Sequence, residues 1–219
     1  MPDNRMRIAY VHDSPLHESL ETDYRNPEQL ARLGFTDVVI SDQMSGCLYS
    51  INPELIERVD TAIDAGLGVW LMDDLFTLPA DSDAGCPGLQ ESWDLTAEAI
   101  RDVIESTPQI RGLVFRYGET FDSPDSTLKR TDLLRCECIH CSSMDGLTRR
   151  RKVIEMLESV VCREMGKRCI LRLWDLSEDG VHANRILQAK VLKKWAGDPR
   201  FFVSVKHTLT DYWRHQPWN

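Results

Sequence analysis

The sequence predicts an α/β fold in which short buried strands alternate with amphipathic helices. The chain has 219 residues, of which 42% are hydrophobic and 28% charged, which is enough apolar material for a sizeable core. The predicted strands are continuous apolar runs, as in parallel sheets that are covered on both faces. Signals for helix starts and stops fall between these runs. Strict alternation of strand and helix predicts βαβ units with right-handed crossovers.

Six apolar runs are predicted as strands. They cover residues 7–12, 36–41, 67–72, 112–117, 168–174 and 201–206. Five helices are predicted between them. The first two begin with the same signal, because Asn26-Pro27-Glu28 and Asn52-Pro53-Glu54 each put a capping residue before proline at the first helical position. They stop at Gly34 and Gly66. The other three cover residues 93–106, 147–165 and 184–195.

A (β/α)8 TIM-barrel-like fold accounts for this pattern better than a doubly wound open sheet. No Gly-x-Gly-x-x-Gly follows the first strand, which argues against a dinucleotide-binding sheet. Polar and aromatic residues stand at the end of every strand, and in a barrel these ends surround one mouth, where active sites lie. They are His12-Asp13, Asp42-Gln43, Asp73-Asp74, Tyr117-Gly118-Glu119, Trp174-Asp175 and Lys206-His207.

The predicted barrel is incomplete, with about six βα units in a single domain spanning residues 1–219. A full barrel has eight units and typically about 250 residues. We therefore expect the chain either to be the N-terminal part of a larger barrel or to close by association with another chain. An open barrel exposes apolar strand and helix faces, which favours self-association.

Charge and cysteine content exclude several kinds of partner. The 26 Lys and Arg against 35 Asp and Glu give a net charge of −9, and an acidic surface repels nucleic acid. No run approaches the ~20 apolar residues of a membrane span, and the N-terminus lacks the apolar core of a signal peptide. Seven cysteines are an odd number with no disulfide-framework spacing. We therefore expect reduced thiols in a cytoplasmic protein.

Glu119 is the candidate catalytic residue. It follows the fourth predicted strand, and Gly118 permits a sharp turn that would aim the carboxylate into the mouth. Cleavage of a glycosidic bond needs one carboxylic acid to protonate the leaving oxygen and a second carboxylate across the sugar. Arg116 and Tyr117, just before it, are candidate substrate-binding residues. The structural alternative for Glu119 is a solvated loop carboxylate, or one paired with Arg116.

The segment Cys136-Glu137-Cys138-Ile139-His140-Cys141 puts three thiols within six residues. Structural zinc takes about four nitrogen or sulfur ligands, and a Cys-x-Cys-x-x-Cys spacing can wrap one metal locally. The candidate metal ligands are therefore Cys136, Cys138 and Cys141, with His140 as the candidate fourth. Reduced thiols that order a long loop, or one local disulfide, are the alternatives.

Arg172 and Trp174 lie on one face of the fifth strand by alternation. An indole stacks on the apolar face of a sugar, and a guanidinium forks a carboxylate. Lys206, at the end of the sixth strand, would suit an anionic substrate. The alternative is a core tryptophan with Arg172 ion-paired inside the barrel. The remaining candidate substrate contacts are Asp73, Asp74, Asp175 and His207.

Residues 112–219 resemble the barrel domain of α-glucuronidase-like glycoside hydrolases. The resemblance is carried by Tyr117-Gly118-Glu119, the cysteine motif, the run from Lys167 to Trp174, the segment from Val203 to Thr208 and the Gln-Pro-Trp-Asn ending. It implies a barrel that hydrolyses a glycosidic bond without a required cofactor, with Glu119 as the general acid.

The same resemblance implies that Arg172, Trp174 and Lys206 contact the substrate, and a uronate carboxylate would explain the two cations. The second catalytic carboxylate of such barrels comes from later strands, and this sequence stops before them. Two further functions therefore stay open. One is a carbohydrate-binding or scaffold barrel without chemistry, and the other is a zinc-stabilised interaction domain built on the cysteine loop.

Overall fold

A parallel sheet of six strands is the centre of the molecule. The computed structural model describes residues 6–11, 26–41, 51–75, 77–79, 86–117, 128–130, 138–173, 184–195 and 197–205. The strands of the sheet are, in spatial order, β1 (Ile8–Val11), β2 (Asp37–Ser41), β3 (Gly68–Asp74), β5 (Gly112–Tyr117), β7 (Arg168–Leu173) and β8 (Phe201–Val205). Spatial order follows chain order, and the sheet is curled, so the predicted incomplete (β/α) TIM-like barrel is confirmed.

Helices alternate with these strands as predicted. They are α1 (Pro27–Arg32), α2 (Pro53–Asp64), α3 (Gln90–Ser106), α4 (Gly146–Leu157) and α5 (Arg185–Leu192). The side chain of Asn26 accepts a hydrogen bond from the backbone N–H of Gln29, and Asn52 does the same for Leu55. These caps satisfy N–H groups that a helix start leaves without a partner.

Two features of the chain were not predicted. A short antiparallel ribbon joins β4 (Thr77–Pro79) to β6 (Leu128–Arg130). The helix predicted over 147–165 changes at Glu158–Glu164 into a π-helical segment, which closes with a 2.9 Å hydrogen bond from Met165 N–H to the Val160 carbonyl. Apolar spacing reports which face of a helix is buried, and it does not report such a change in hydrogen-bond register.

The two faces of the sheet have different neighbours. On one face, strand side chains such as Leu71 and Phe115 join the apolar side chains of the helices in a large core. On the other face a smaller cluster contains strand residues and no helix residue among those described. It consists of Val39, Trp70, Met72, Val114 and Ile170, with Met6, Ile8 and Phe202 packed against it. This second face is the concave inside of the curled sheet.

The amino end of the sheet is fixed by a buried carboxylate. Asp37, at the start of β2, is completely buried. It accepts hydrogen bonds from Trp70 Nε1 at 3.0 Å, from Arg111 at 2.8 Å and from the Thr36 hydroxyl at 2.6 Å. These bonds tie β2 to β3 and to the residue before β5. Since Trp70 and Arg111 come from two other chain segments, Asp37 links three segments at this end of the sheet.

Among the described residues, no helix is both long enough and apolar enough to span a bilayer.

We predict that Asp37→Ala lowers the free energy of unfolding by about 1–3 kcal/mol, because it leaves the buried N–H of Trp70 without its acceptor. Chemical denaturation followed by circular dichroism measures this change. The matched control is Asp60→Ala, which removes an exposed hydrogen bond from Gln109 and should shift stability by no more than about 0.5 kcal/mol. Equal losses in both variants would show that the Asp37 network does not stabilise the sheet.

Candidate functional site

Three candidate residues fall in one row across the carboxyl end of the sheet. Asp74 on β3 is the register partner of Arg116 on β5, and Arg116 is the register partner of Arg172 on β7. Two residues earlier on each strand, the register runs through Met72, Val114 and Ile170. Those residues belong to the concave cluster. Strand alternation therefore places the row on the concave face.

Asp73 belongs to the opposite face. Its register partner is Phe115, which packs in the helix-facing core, and Asp73 is only 3% exposed. Asp73 and Asp74 are the last two residues of β3 rather than the residues after it, so the predicted strand end at residue 72 was two residues early. Alternation then assigns the two positions to opposite faces of the sheet, and Asp74 is the one in register with Arg116.

The two guanidinium groups of the row come from adjacent strands. Parallel strands lie about 4.8 Å apart, so directly paired residues such as Arg116 and Arg172 present their side chains next to each other. Arg116 is 8% exposed and Arg172 is partly exposed. Two such groups at one end of a concave surface can bind a planar anion through parallel N–H donors. The row therefore brings two positive charges side by side at the carboxyl end of the sheet.

The described residues end just before most of the other candidates. Tyr117 is the last residue of β5. For Tyr117 and Asp74 the structure describes the backbone only. β7 ends at Leu173 and β8 at Val205, each one residue before a candidate. The predicted site residues that lie outside the described residues are Glu119, Trp174, Asp175, Lys206, His207 and Cys136.

A second candidate site is a group of three thiols, which we call the thiol cluster. The Sγ atom of Cys86 lies 3.2 Å from that of Cys138 and 3.4 Å from that of Cys141. All three sulfur atoms lie within 4.8 Å of one another. Cys141 is fully buried, and the other two are partly exposed. Three thiols at these distances could hold a metal ion, and the group contains two of the three predicted ligands.

Hydrogen-bonded turns present the thiols of the cluster. The backbone N–H groups of Cys141 and Ser142 donate to the Cys138 carbonyl at 3.0 and 2.9 Å. On the other side, Leu89 N–H donates to the Cys86 carbonyl at 3.0 Å, just before α3 begins. These local bonds keep each turn compact, so the thiols are presented by ordered backbone rather than by long free loops.

Helix α4 begins immediately after the second turn. Asp145 caps it, and a hydrogen bond from the Thr148 hydroxyl lowers the pKa of the Asp145 carboxyl. Arg149, which is buried, donates to the carbonyls of Met144 and Cys141. The turn that carries two of the thiols is therefore bound to the first turn of α4.

Sequence reasoning missed Cys86 as a member of this cluster. It stands 52 residues before Cys138, and no spacing rule links residues so far apart. The contact arises because β3 and β5 are neighbours, so that the segments following them converge. His140, the candidate fourth ligand, is exposed and does not belong to the group found among the described residues.

Two other cysteines have thiols of low reactivity. Cys162 and Cys169 are completely buried members of the helix-facing core. Burial raises the pKa of the Cys162 thiol to about 12 and that of Cys169 well above its usual value. Both groups therefore stay protonated at neutral pH and are poor nucleophiles and poor metal ligands.

The comparisons with known proteins bear on the fold. No protein-family model and no curated protein matches the sequence. Among solved structures, the chain is similar to a GH36 α-galactosidase from Geobacillus stearothermophilus in complex with stachyose. The TM-score is 0.50 and the sequence identity is 12%, and the match covers 76% of this chain and 27% of that chain. It is also similar to an α-galactosidase from Thermus thermophilus, with a TM-score of 0.47, 14% identity and coverage of 76% and 37%.

A trimodular endoglucanase of GH5 subfamily 4 gives a TM-score of 0.48, 13% identity and coverage of 91% of this chain and 39% of that chain. The chain thus spans between about a quarter and two-fifths of these structures. At 12% identity, the likeness with a TM-score of 0.50 shows the fold alone, which is an incomplete (β/α) TIM-like barrel. It does not single out the α-glucuronidase-like branch that the sequence motifs resemble.

We predict that iodoacetamide at pH 8 leaves Cys162 and Cys169 unmodified in the folded protein, because their raised pKa values keep both thiols protonated and burial excludes the reagent. Peptide mass spectrometry measures the labelling, and the same reaction in denaturant is the control in which both should react. Labelling of Cys162 at equal rates under the two conditions would contradict the buried position.

Proposed function

We propose that this chain is part of a glycoside hydrolase that acts on oligo- or polysaccharides containing uronic acid. The observation that carries the proposal is the adjacent pair Arg116 and Arg172 at the carboxyl end of β5 and β7. In barrel enzymes the active site lies at this end of the strands. Guanidinium groups recognise carboxylates through two parallel hydrogen bonds, which suits the carboxylate of a uronic acid.

Glu119 is proposed as the general acid. The chain reaches it two residues after Tyr117, which ends β5, and two residues extend at most about 7 Å. In the proposed step the Glu119 carboxyl donates its proton to the glycosidic oxygen as the bond to the anomeric carbon breaks. A second carboxylate then acts as nucleophile or activates a water molecule. We propose that it comes from strand–helix units other than these six.

The other predicted contacts complete the proposed substrate site. Trp174 would offer its indole face to a sugar ring directly after β7, and Lys206 would add a cation directly after β8. Asp74 would bind sugar hydroxyl groups beside the arginines. Tyr117, Asp175 and His207 follow as polar contacts at the same end of the sheet.

A non-catalytic domain is the alternative function. The thiol cluster could hold a structural zinc ion, and such an ion stabilises a fold without taking part in catalysis. This favours a zinc-stabilised interaction domain. A carbohydrate-binding barrel without hydrolysis would use the arginine row and Trp174 but not Glu119. A reducing, cytoplasmic location is proposed for either function, since the seven cysteines are an odd number without the spacing of a disulfide framework. Strands β1 and β8 end the sheet of the described residues, which supports self-association.

We predict that Glu119→Gln in the full-length protein lowers the hydrolysis of an aryl α-glucuronide by about 100- to 10,000-fold, because the amide cannot donate the proton. Release of the chromophore measures the rate. Glu98→Gln, on an exposed position of α3, is the matched control and should keep the activity. Unchanged turnover in Glu119→Gln would refute the assignment of the general acid.

We predict that Trp174→Ala weakens the binding of uronic-acid-containing oligosaccharides roughly tenfold, because a stacking surface is lost. Titration calorimetry measures the affinity. Binding that persists in Glu119→Gln but is accompanied by no hydrolysis in the unmodified protein would favour the carbohydrate-binding alternative. Absence of binding to uronic-acid-containing and neutral oligosaccharides alike would contradict both carbohydrate functions.

A further inference from the structure

We propose that Cys86, Cys138 and Cys141 are ligands of a structural zinc ion that joins the segment after β3 to the segment after β5. Cys86 precedes α3, and the other two thiols precede α4, so the ion would link two connections at the carboxyl end of the sheet. The proposal concerns stability and loop position. It is independent of the glycosidase chemistry proposed above.

The sulfur positions fit one tetrahedral ion. With Zn–S bonds of about 2.3 Å, the sulfur atoms of a tetrahedral site lie about 3.8 Å apart. The two separations from Cys86, 3.2 and 3.4 Å, need only a small expansion to reach that value. A disulfide uses two sulfur atoms at about 2.05 Å and would leave the third thiol of the group beside it. None of the three forms a disulfide with another described cysteine.

The two halves of the site also approach each other through contacts that do not involve the thiols. A Cβ atom built on Gly88 would lie 2.6 Å from the backbone carbonyl of His140, so the two segments meet where only glycine fits. Trp93, in the first turns of α3, donates from its indole nitrogen to the Pro87 carbonyl at 2.8 Å. Lys152 of α4 lies 4.6 Å from the ring centre of the same tryptophan. The ligand turns are therefore fixed to two packed helices.

The ribbon of β4 and β6 is a second link between the same two segments, and it lies outside the thiol cluster. The ribbon pairs Leu78, after β3, with Lys129, after β5. A two-stranded ribbon of three residues on each side is marginal by itself. A metal ion farther along both segments would stabilise the pairing by closing the loop that contains it.

Charge and ligand type favour zinc over other ions. Thiolates are soft ligands and select zinc rather than magnesium or calcium. Three thiolates around Zn²⁺ carry a net negative charge, and Arg149 and Arg150, which are buried near the start of α4, bring positive charge to that side.

Metal analysis of the full chain tests the proposal. We expect about one zinc per chain in protein purified under reducing conditions without added metal. We expect the ratio to fall to a negligible value in Cys86→Ser and in Cys138→Ser. Cys162→Ala, which removes a thiol outside the cluster, is the matched control and should retain zinc. Circular dichroism of each variant establishes that it is folded.

A variant that keeps every thiol gives a second readout. Gly88→Ala forces the two segments apart, so it should release zinc to a chromogenic chelator faster than the unmodified chain does. Chelation should lower the Tm of the unmodified chain by several degrees and leave Cys86→Ser unchanged. Glu119→Gln should retain zinc, which separates this proposal from the proposed hydrolase activity.

Three results would overturn the proposal: a negligible zinc content in the unmodified chain, full zinc retention in Cys86→Ser, or a disulfide between two of the three thiols in freshly purified protein. Iron or copper in place of zinc at the same stoichiometry would also refute the assignment of the ion.

Discussion

Burial of both faces of the parallel sheet is the constraint on which the rest of the structure depends. Residues of β3 such as Trp70, Leu71 and Met72 are almost completely inaccessible, and they face alternately the concave cluster and the helix-facing core. Parallel strands cannot be joined by tight turns, so a helix must return the chain after each one. The six strands of the sheet therefore point the same way, and each connection leaves its strand at the same end of the sheet.

That end carries both candidate sites. The arginine row lies on the concave face at the ends of β5 and β7, and the thiol cluster lies in the connections that follow β3 and β5. The segment between β5 and Cys138 contains Glu119, so a metal at the cluster would fix the far end of the connection that bears the proposed acid. The amino end of the sheet has a structural role instead, because Asp37 accepts three hydrogen bonds there that stabilise the fold.

Local sequence patterns predicted the helices and strands, but they did not predict which distant residues contact one another. The six strands and the capped starts of α1 and α2 were predicted because apolar runs and Asn-Pro-Glu signals act over a few residues. Cys86 could not be found, since its approach to Cys138 depends on strand order rather than on spacing. The separation of Asp73 from Asp74 was missed because β3 extends two residues farther than its apolar run.

Hydrogen exchange on the full-length protein tests most directly whether the carboxyl end of the sheet binds the ligand. We expect uronic-acid-containing oligosaccharides to slow exchange in peptides that cover the ends of β5 and β7, around Arg116 and Arg172. Peptides around Asp37 and Arg111, at the amino end, should not change. Slower exchange confined to the amino end, or no change with the oligosaccharides at any concentration reached, would contradict a carbohydrate site at the arginine row.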